Sequence, residues 1–140
     1  MPSPLRSLLR LAFTTALLLG AAAQAQTIDV PRLTPAETAA YLAATPGAQI
    51  LDVRRPAEVA LSGRLADALV IDVSVPGFQS RALDALDPSR PVVVYCRSGG
   101  RAGRAAEILA GLGFGDLRNA GGFVDLAGAG LATTGGPPAP

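Results

Sequence analysis

The chain contains no histidine, no tryptophan and no lysine, and among its 140 residues there is a single cysteine, Cys96. Without histidine, neither a Cys–His nucleophile pair nor a His-containing metal site can be built. Without a second cysteine, an internal disulfide and a C-x-x-C thiol oxidoreductase are both excluded. The basic residues are all arginine, a bias that reads first as genomic base composition. They are interspersed with Asp and Glu, to a formal net charge of +1. No basic face is clustered, so no nucleic-acid partner is expected. The longest apolar run, Leu11 to Ala23, is shorter than the ~20 residues that span a bilayer.

That run has a different use. Arg6 and Arg10 supply a positive flank before it, and Ala23-Gln24-Ala25 supplies an A-x-A cleavage site after it. Residues 1–25 are therefore expected to be a cleaved secretory signal peptide, leaving no stable membrane anchor. Loss of its two arginines moves the formal charge from +1 to −1. Export places the chain where disulfides persist. A lone cysteine there is either a liability or a working thiol.

The rest is long enough for one domain with a real core, expected over residues 27–132. Thr34-Pro35-Ala36-Glu37 is a capping box with proline at the first helical position, starting a helix to about Ala44. Gln49–Val53, Ala68–Val73 and Pro91–Tyr95 are short, near-continuous apolar runs expected as buried strands, with a shorter one at Asp116–Asn119. Helices are expected at Pro56–Ala60, Pro76–Leu86, Gly103–Leu112 and Phe123–Ala127. Residues 133–140, TTGGPPAP, are expected to be a disordered tail. Apolar strands alternating with helices predict an α/β fold, a three-layer arrangement with a central parallel sheet of about five strands and helices on both faces.

Between the best strand and a helix lies Cys96-Arg97-Ser98-Gly99-Gly100-Arg101. Ligands of open α/β sheets bind beyond the carboxyl ends of strands. A glycine-containing loop entering a helix lets several backbone N–H groups converge, and the helix N-terminus adds positive potential. Such a setting favours a cysteine held as the nucleophilic thiolate. Arg97 and Arg101 add full charges able to grip an oxyanion. The loop thus combines a nucleophile, a means of ionising it and an anion receptor formed by Arg97, Ser98, Gly99, Gly100 and Arg101. Asp52 and Arg54 end an adjacent strand. Both are candidate supporting residues; the plainer reading has Asp52 only hydrogen-bonding loop amides and Arg54 paired with Glu58 as scaffold.

The segment YCRSGGRAGRAAEILAGLGF resembles the active-site loop and following helix of the rhodanese family. Leu51-Asp52-Val53-Arg54-Arg55-Pro56-Ala57-Glu58 resembles its upstream motif, and Asn119-Ala120-Gly121-Gly122 its late glycine turn. These cover residues 44–131, and the exported single domain is most similar to the periplasmic phage-shock-protein E branch. The resemblance implies a sulfurtransferase; a monomer without cofactor or metal is expected. It would move sulfur from thiosulfate to a thiol or cyanide acceptor through a Cys96 persulfide, releasing sulfite. Related phosphatases and arsenate reductases use a longer C-x5-R loop. Here Arg101 falls at C-x4-R and the next position is Ala102, which favours sulfur over phosphate chemistry. A non-catalytic persulfide carrier or docking module is the alternative. The family's tryptophan after the glycine turn is absent, and its G-H-I-P-G-A stretch reads Gly63-Arg64-Leu65-Ala66-Asp67-Ala68.

Overall fold

Period-two alternation along one fully buried strand organises the molecule. In the computed structural model, which describes residues 28–136, Val92–Cys96 forms β4 and every residue of it is buried. Val92, Val94 and Cys96 face one core cluster, with Phe78, Ala82, Ala105 and Leu109. Val93 and Tyr95 face the other, with Leu65, Phe123 and Leu126. A strand apolar on both faces needs helices on both, which is the parallel three-layer arrangement.

The elements run α1 (Pro35–Ala44), β1 (Gln49–Asp52), α2 (Pro56–Ser62), β2 (Arg64–Leu65), β3 (Leu69–Val70) and α3 (Phe78–Ala85). After β4 come α4 (Gly100–Gly111), β5 (Leu117–Gly122), α5 (Phe123–Gly128) and β6 (Thr133–Thr134). The central sheet has order β3-β1-β4-β5, all parallel. A fifth backbone segment adds to its β5 edge. Asn119 N–H donates to the Pro31 carbonyl and Leu33 N–H to the Asn119 carbonyl, each at 2.9 Å. Helices α3 and α4 supply one outer layer, α1 and α5 the other.

The capping box forms as expected. Glu37 N–H donates to Thr34 Oγ1 at 3.2 Å, and Thr34 N–H to Glu37 Oε2 at 2.7 Å. The strand expected over Ala68–Val73 is regular only at Leu69–Val70, although Ile71 and Val73 N–H still donate to the Asp52 and Val53 carbonyls. Helix α3 starts at Phe78 rather than Pro76, because Gly77 adopts the left-handed region, φ 85°. Helix α4 starts three residues before Gly103, which brings its N-terminus up to the cysteine loop.

The tail requires a correction. Thr133–Thr134 is ordered as β6, antiparallel to β2, an element with no signal in the sequence. Glycines make the approach possible: a Cβ on Gly63 would stand 2.7 Å from the Gly135 carbonyl oxygen. Residues 1–27, with the expected signal segment 1–25, and residues 137–140 lie outside the described residues. No helix among those described is long and apolar enough to cross a membrane.

Tyr95 is fully buried, and its hydroxyl accepts the Leu65 N–H at 2.9 Å. Burial pushes its phenol well above the usual range, so it stays neutral. Tyr95→Phe should cost about 1–3 kcal/mol in denaturant unfolding, because the buried Leu65 N–H loses its acceptor.

Candidate active site

Strand β4 delivers Cys96 to the carboxyl edge of the sheet, and α4 begins only four residues later, at Gly100. The thiol is 1% exposed, and Gly99 N–H donates to its Sγ at 3.0 Å. Helix α4 is 12 residues long, so the positive end of a full helix lies beside the sulfur. Turning so sharply depends on Gly99, the residue preceding the helix, at φ 105° in the left-handed region.

The glycine turn of β5 backs this loop. A side chain at Gly122 would collide with the Arg97 carbonyl, so only glycine lets the two backbones touch. Asn119 Nδ2 donates to the Gly99 carbonyl at 3.1 Å, while Asn119 Oδ1 accepts the Gly121 N–H at 2.9 Å. Asn119 thereby ties loop and turn together through one buried side chain.

The two loop arginines differ. Arg97 is exposed, makes no side-chain hydrogen bond among the described residues, and lines a cleft of about 370 Å³ with Arg54, Glu58, Leu61, Phe123 and Val124. Arg101 instead makes a bidentate pair with Glu58, at 2.7 and 2.8 Å. Those hydrogen bonds hold the Glu58 carboxyl down at about 2. Glu58 pushes the Arg101 guanidinium up in turn, with smaller contributions from Cys96 and Asp72. Both terminal nitrogens of Arg101 are thus committed to Glu58, and Arg97 is the loop cation facing the cleft. Ser98 is exposed, with its carbonyl turned toward Arg32, and Gly100 opens the helix.

Asp52 and Arg54 form scaffold. Asp52 is fully buried and accepts from Arg54 Nε and Nη2, the latter at 2.6 Å, as well as from the Arg54 N–H. It touches no amide of the cysteine loop. Arg54 pairs with Asp52 and not with Glu58, and its remaining donors reach Ser62 Oγ at 2.8 Å and the Gly63 carbonyl at 2.7 Å. Its guanidinium also lies 4.4 Å from the Phe123 ring centroid. Burial opposes the charge on Arg54, but the hydrogen bonds and charge of Asp52, with smaller contributions from Tyr95, together outweigh it and leave the group more basic than usual. The pair joins the end of β1 to the end of α2, fixing the helix that carries Glu58.

Two contributors were not picked out as site residues in the sequence. Asn119 was visible only as part of the glycine-turn motif, and Arg32 lies 66 positions from its partner Ser98. Nothing local in either stretch signals such a contact.

The rhodanese-like domain model matches residues 34–129, and the chain belongs to that family. A sulfurtransferase of Allochromatium vinosum is 35% identical over 91 residues, covering 64% of this chain and 81% of that protein. Among solved structures, the 30 kDa polysulfide-sulfur transferase homodimer of Wolinella succinogenes is similar at TM-score 0.62 and 28% identity, over 75% of this chain and 78% of that one. A rhodanese from E. coli, solved with anions, matches at TM-score 0.53 and 29% identity, over 64% and 99% respectively. Sulfur transfer is the class of chemistry that the family and these relatives support.

The Glu58–Arg101 pair makes a pH prediction. Glu58 titrates lower folded than its ordinary 4.5, so the pair's stabilisation is complete above that value and is lost as pH falls toward about 2. Glu58→Gln should therefore lower stability at neutral pH by about 1 kcal/mol, a figure reduced for partial exposure. The gap from wild type should close across that acidic window in urea titrations.

Proposed function

We propose that this chain is an exported thiosulfate sulfurtransferase working through a persulfide on Cys96. The observation that carries the reading is the Gly99 N–H on Cys96 Sγ at 3.0 Å, at the start of α4 and beside the exposed Arg97. A donated N–H and a helix N-terminus both favour a sulfur anion, whether thiolate or persulfide.

The cycle has two displacements. The Cys96 thiolate attacks the outer sulfur of thiosulfate, the Cys96–sulfur bond forms, and the sulfur–sulfur bond of the donor breaks with its electron pair leaving on sulfite. Negative charge is conserved, and the persulfide takes the place of the thiolate. An acceptor thiolate or cyanide then attacks the terminal sulfur and returns Cys96 as thiolate. Arg97 binds the sulfonate end of the donor by charge-assisted hydrogen bonds. Arg101 contributes its charge from the side while its donors remain on Glu58. The short C-x4-R loop supports sulfur over phosphate chemistry, since it has one residue fewer with which to wrap a tetrahedral phosphate. The N-terminal signal pattern over residues 1–25 supports a periplasmic location, and the chain acts as a monomer in this reading.

A steady-state thiosulfate and cyanide assay tests it. Thiocyanate should form with the wild type and not with Cys96→Ser. Arg97→Ala should raise the thiosulfate KM about tenfold, the scale of one charge-assisted hydrogen bond, with kcat little changed. Wild-type turnover no faster than that of Cys96→Ser would defeat the enzyme reading, and an unaltered KM would remove Arg97 from the anion site.

A further inference from the structure

One cation beside the cysteine loop has no place in the displacement chemistry. Arg32 sits on the segment that extends the sheet at β5, where Asn119 holds the backbone on either side of it. From there its Nη2 donates to the Ser98 carbonyl at 3.1 Å. The guanidinium fills the space that a side chain on Gly99 would take. A Cβ there would stand 2.5 Å from Nη1 and 2.7 Å from Nη2. Gly121 lies against the same group, its own Cβ position 3.3 Å from Nη2. Both glycines have positive φ, +105° and +79°, so the slot in which Arg32 lies is bounded by backbone that side chains rarely adopt.

The Ser98 carbonyl and the Gly99 N–H belong to one peptide unit. In a trans peptide these two groups point in opposite directions. Arg32 therefore holds the outer end of the same rigid plane whose inner end donates to Cys96 Sγ at 3.0 Å. A cation on the carbonyl also draws electron density away from the amide, making its N–H a stronger donor.

We propose that Arg32 is a positioning residue for Cys96. It locks the Ser98–Gly99 peptide with its N–H on the sulfur and strengthens that hydrogen bond to the thiolate. The inference rests on Cys96 being the reactive thiolate of the preceding reading. Asn119 acts in parallel on the next peptide, through the Gly99 carbonyl. Arg32 touches the loop from the side opposite the sulfur, so it contacts neither donor nor acceptor.

The lone cysteine makes a direct test possible, because alkylation of the full chain by iodoacetamide reports Cys96 alone. The reagent is neutral, so removing a charge at Arg32 does not change its approach. Across a pH series, Arg32→Ala should raise the pH at which alkylation reaches half its alkaline rate by about 0.7 units, the fivefold scale of one lost hydrogen bond to the thiolate. It should leave the rate unchanged at strongly alkaline pH. Arg32→Lys keeps the cation and a donor and should recover most of the shift. An alanine variant with the wild-type midpoint, or slowed equally at every pH, overturns the proposal. So does a lysine variant with the midpoint of the alanine one. No sulfur donor is present, so this outcome is separate from thiosulfate turnover: failure to use thiosulfate would leave the positioning role standing.

Discussion

Cys96 receives the Gly99 N–H only because the chain passes from strand to helix within three residues, and that turn sets the terms for its surroundings. Gly99 must adopt positive φ, which removes any side chain from the outer face of the loop. Gly122 must lack a side chain for the Arg97 carbonyl to pack on it. Asn119 must be buried between the two. The buried strand β4 beneath supplies a rigid platform, so the sulfur's position follows from packing and not from the loop alone.

Charge is distributed around this turn by division of labour. Asp52 and Arg54 neutralise each other in the interior, which by itself adds little to stability but satisfies the end of α2. Glu58, carried by that helix, then occupies Arg101. What faces the cleft is Arg97, flanked by the exposed apolar side chains of Leu61 and Val124. Arg54, Glu58, Ser62 and Phe123 complete the lining of that cleft. Glu58 takes both terminal nitrogens of the second guanidinium.

The α/β class, the two-sided parallel sheet and the cysteine loop were legible in the residues. Pro91–Tyr95 is apolar at every position, and a strand of that kind has few places to go but the centre of a parallel sheet. Element ends were less legible, because they were decided by glycine conformation. Gly77 delays α3, and the register shift near Cys96 lets β5 run on to Gly122. The pairing of β2 with β6 carries no periodic signal, since two residues cannot show one. In the site, Cys96 and its loop were readable from local sequence. Which acid each arginine meets was not, because Arg54 and Arg101 each lie within reach of more than one carboxylate. Arg32 was invisible for a related reason: its role exists only once β5 brings Asn119 and Gly121 beside the loop.

The persulfide on Cys96 is the centre of the proposed chemistry, and intact mass spectrometry of the purified protein after incubation with thiosulfate tests it most directly. One added sulfur atom is expected, removed by cyanide and absent from Cys96→Ser. A wild-type mass that thiosulfate leaves unchanged, measured on protein whose Cys96 is shown to be reduced beforehand, would contradict it.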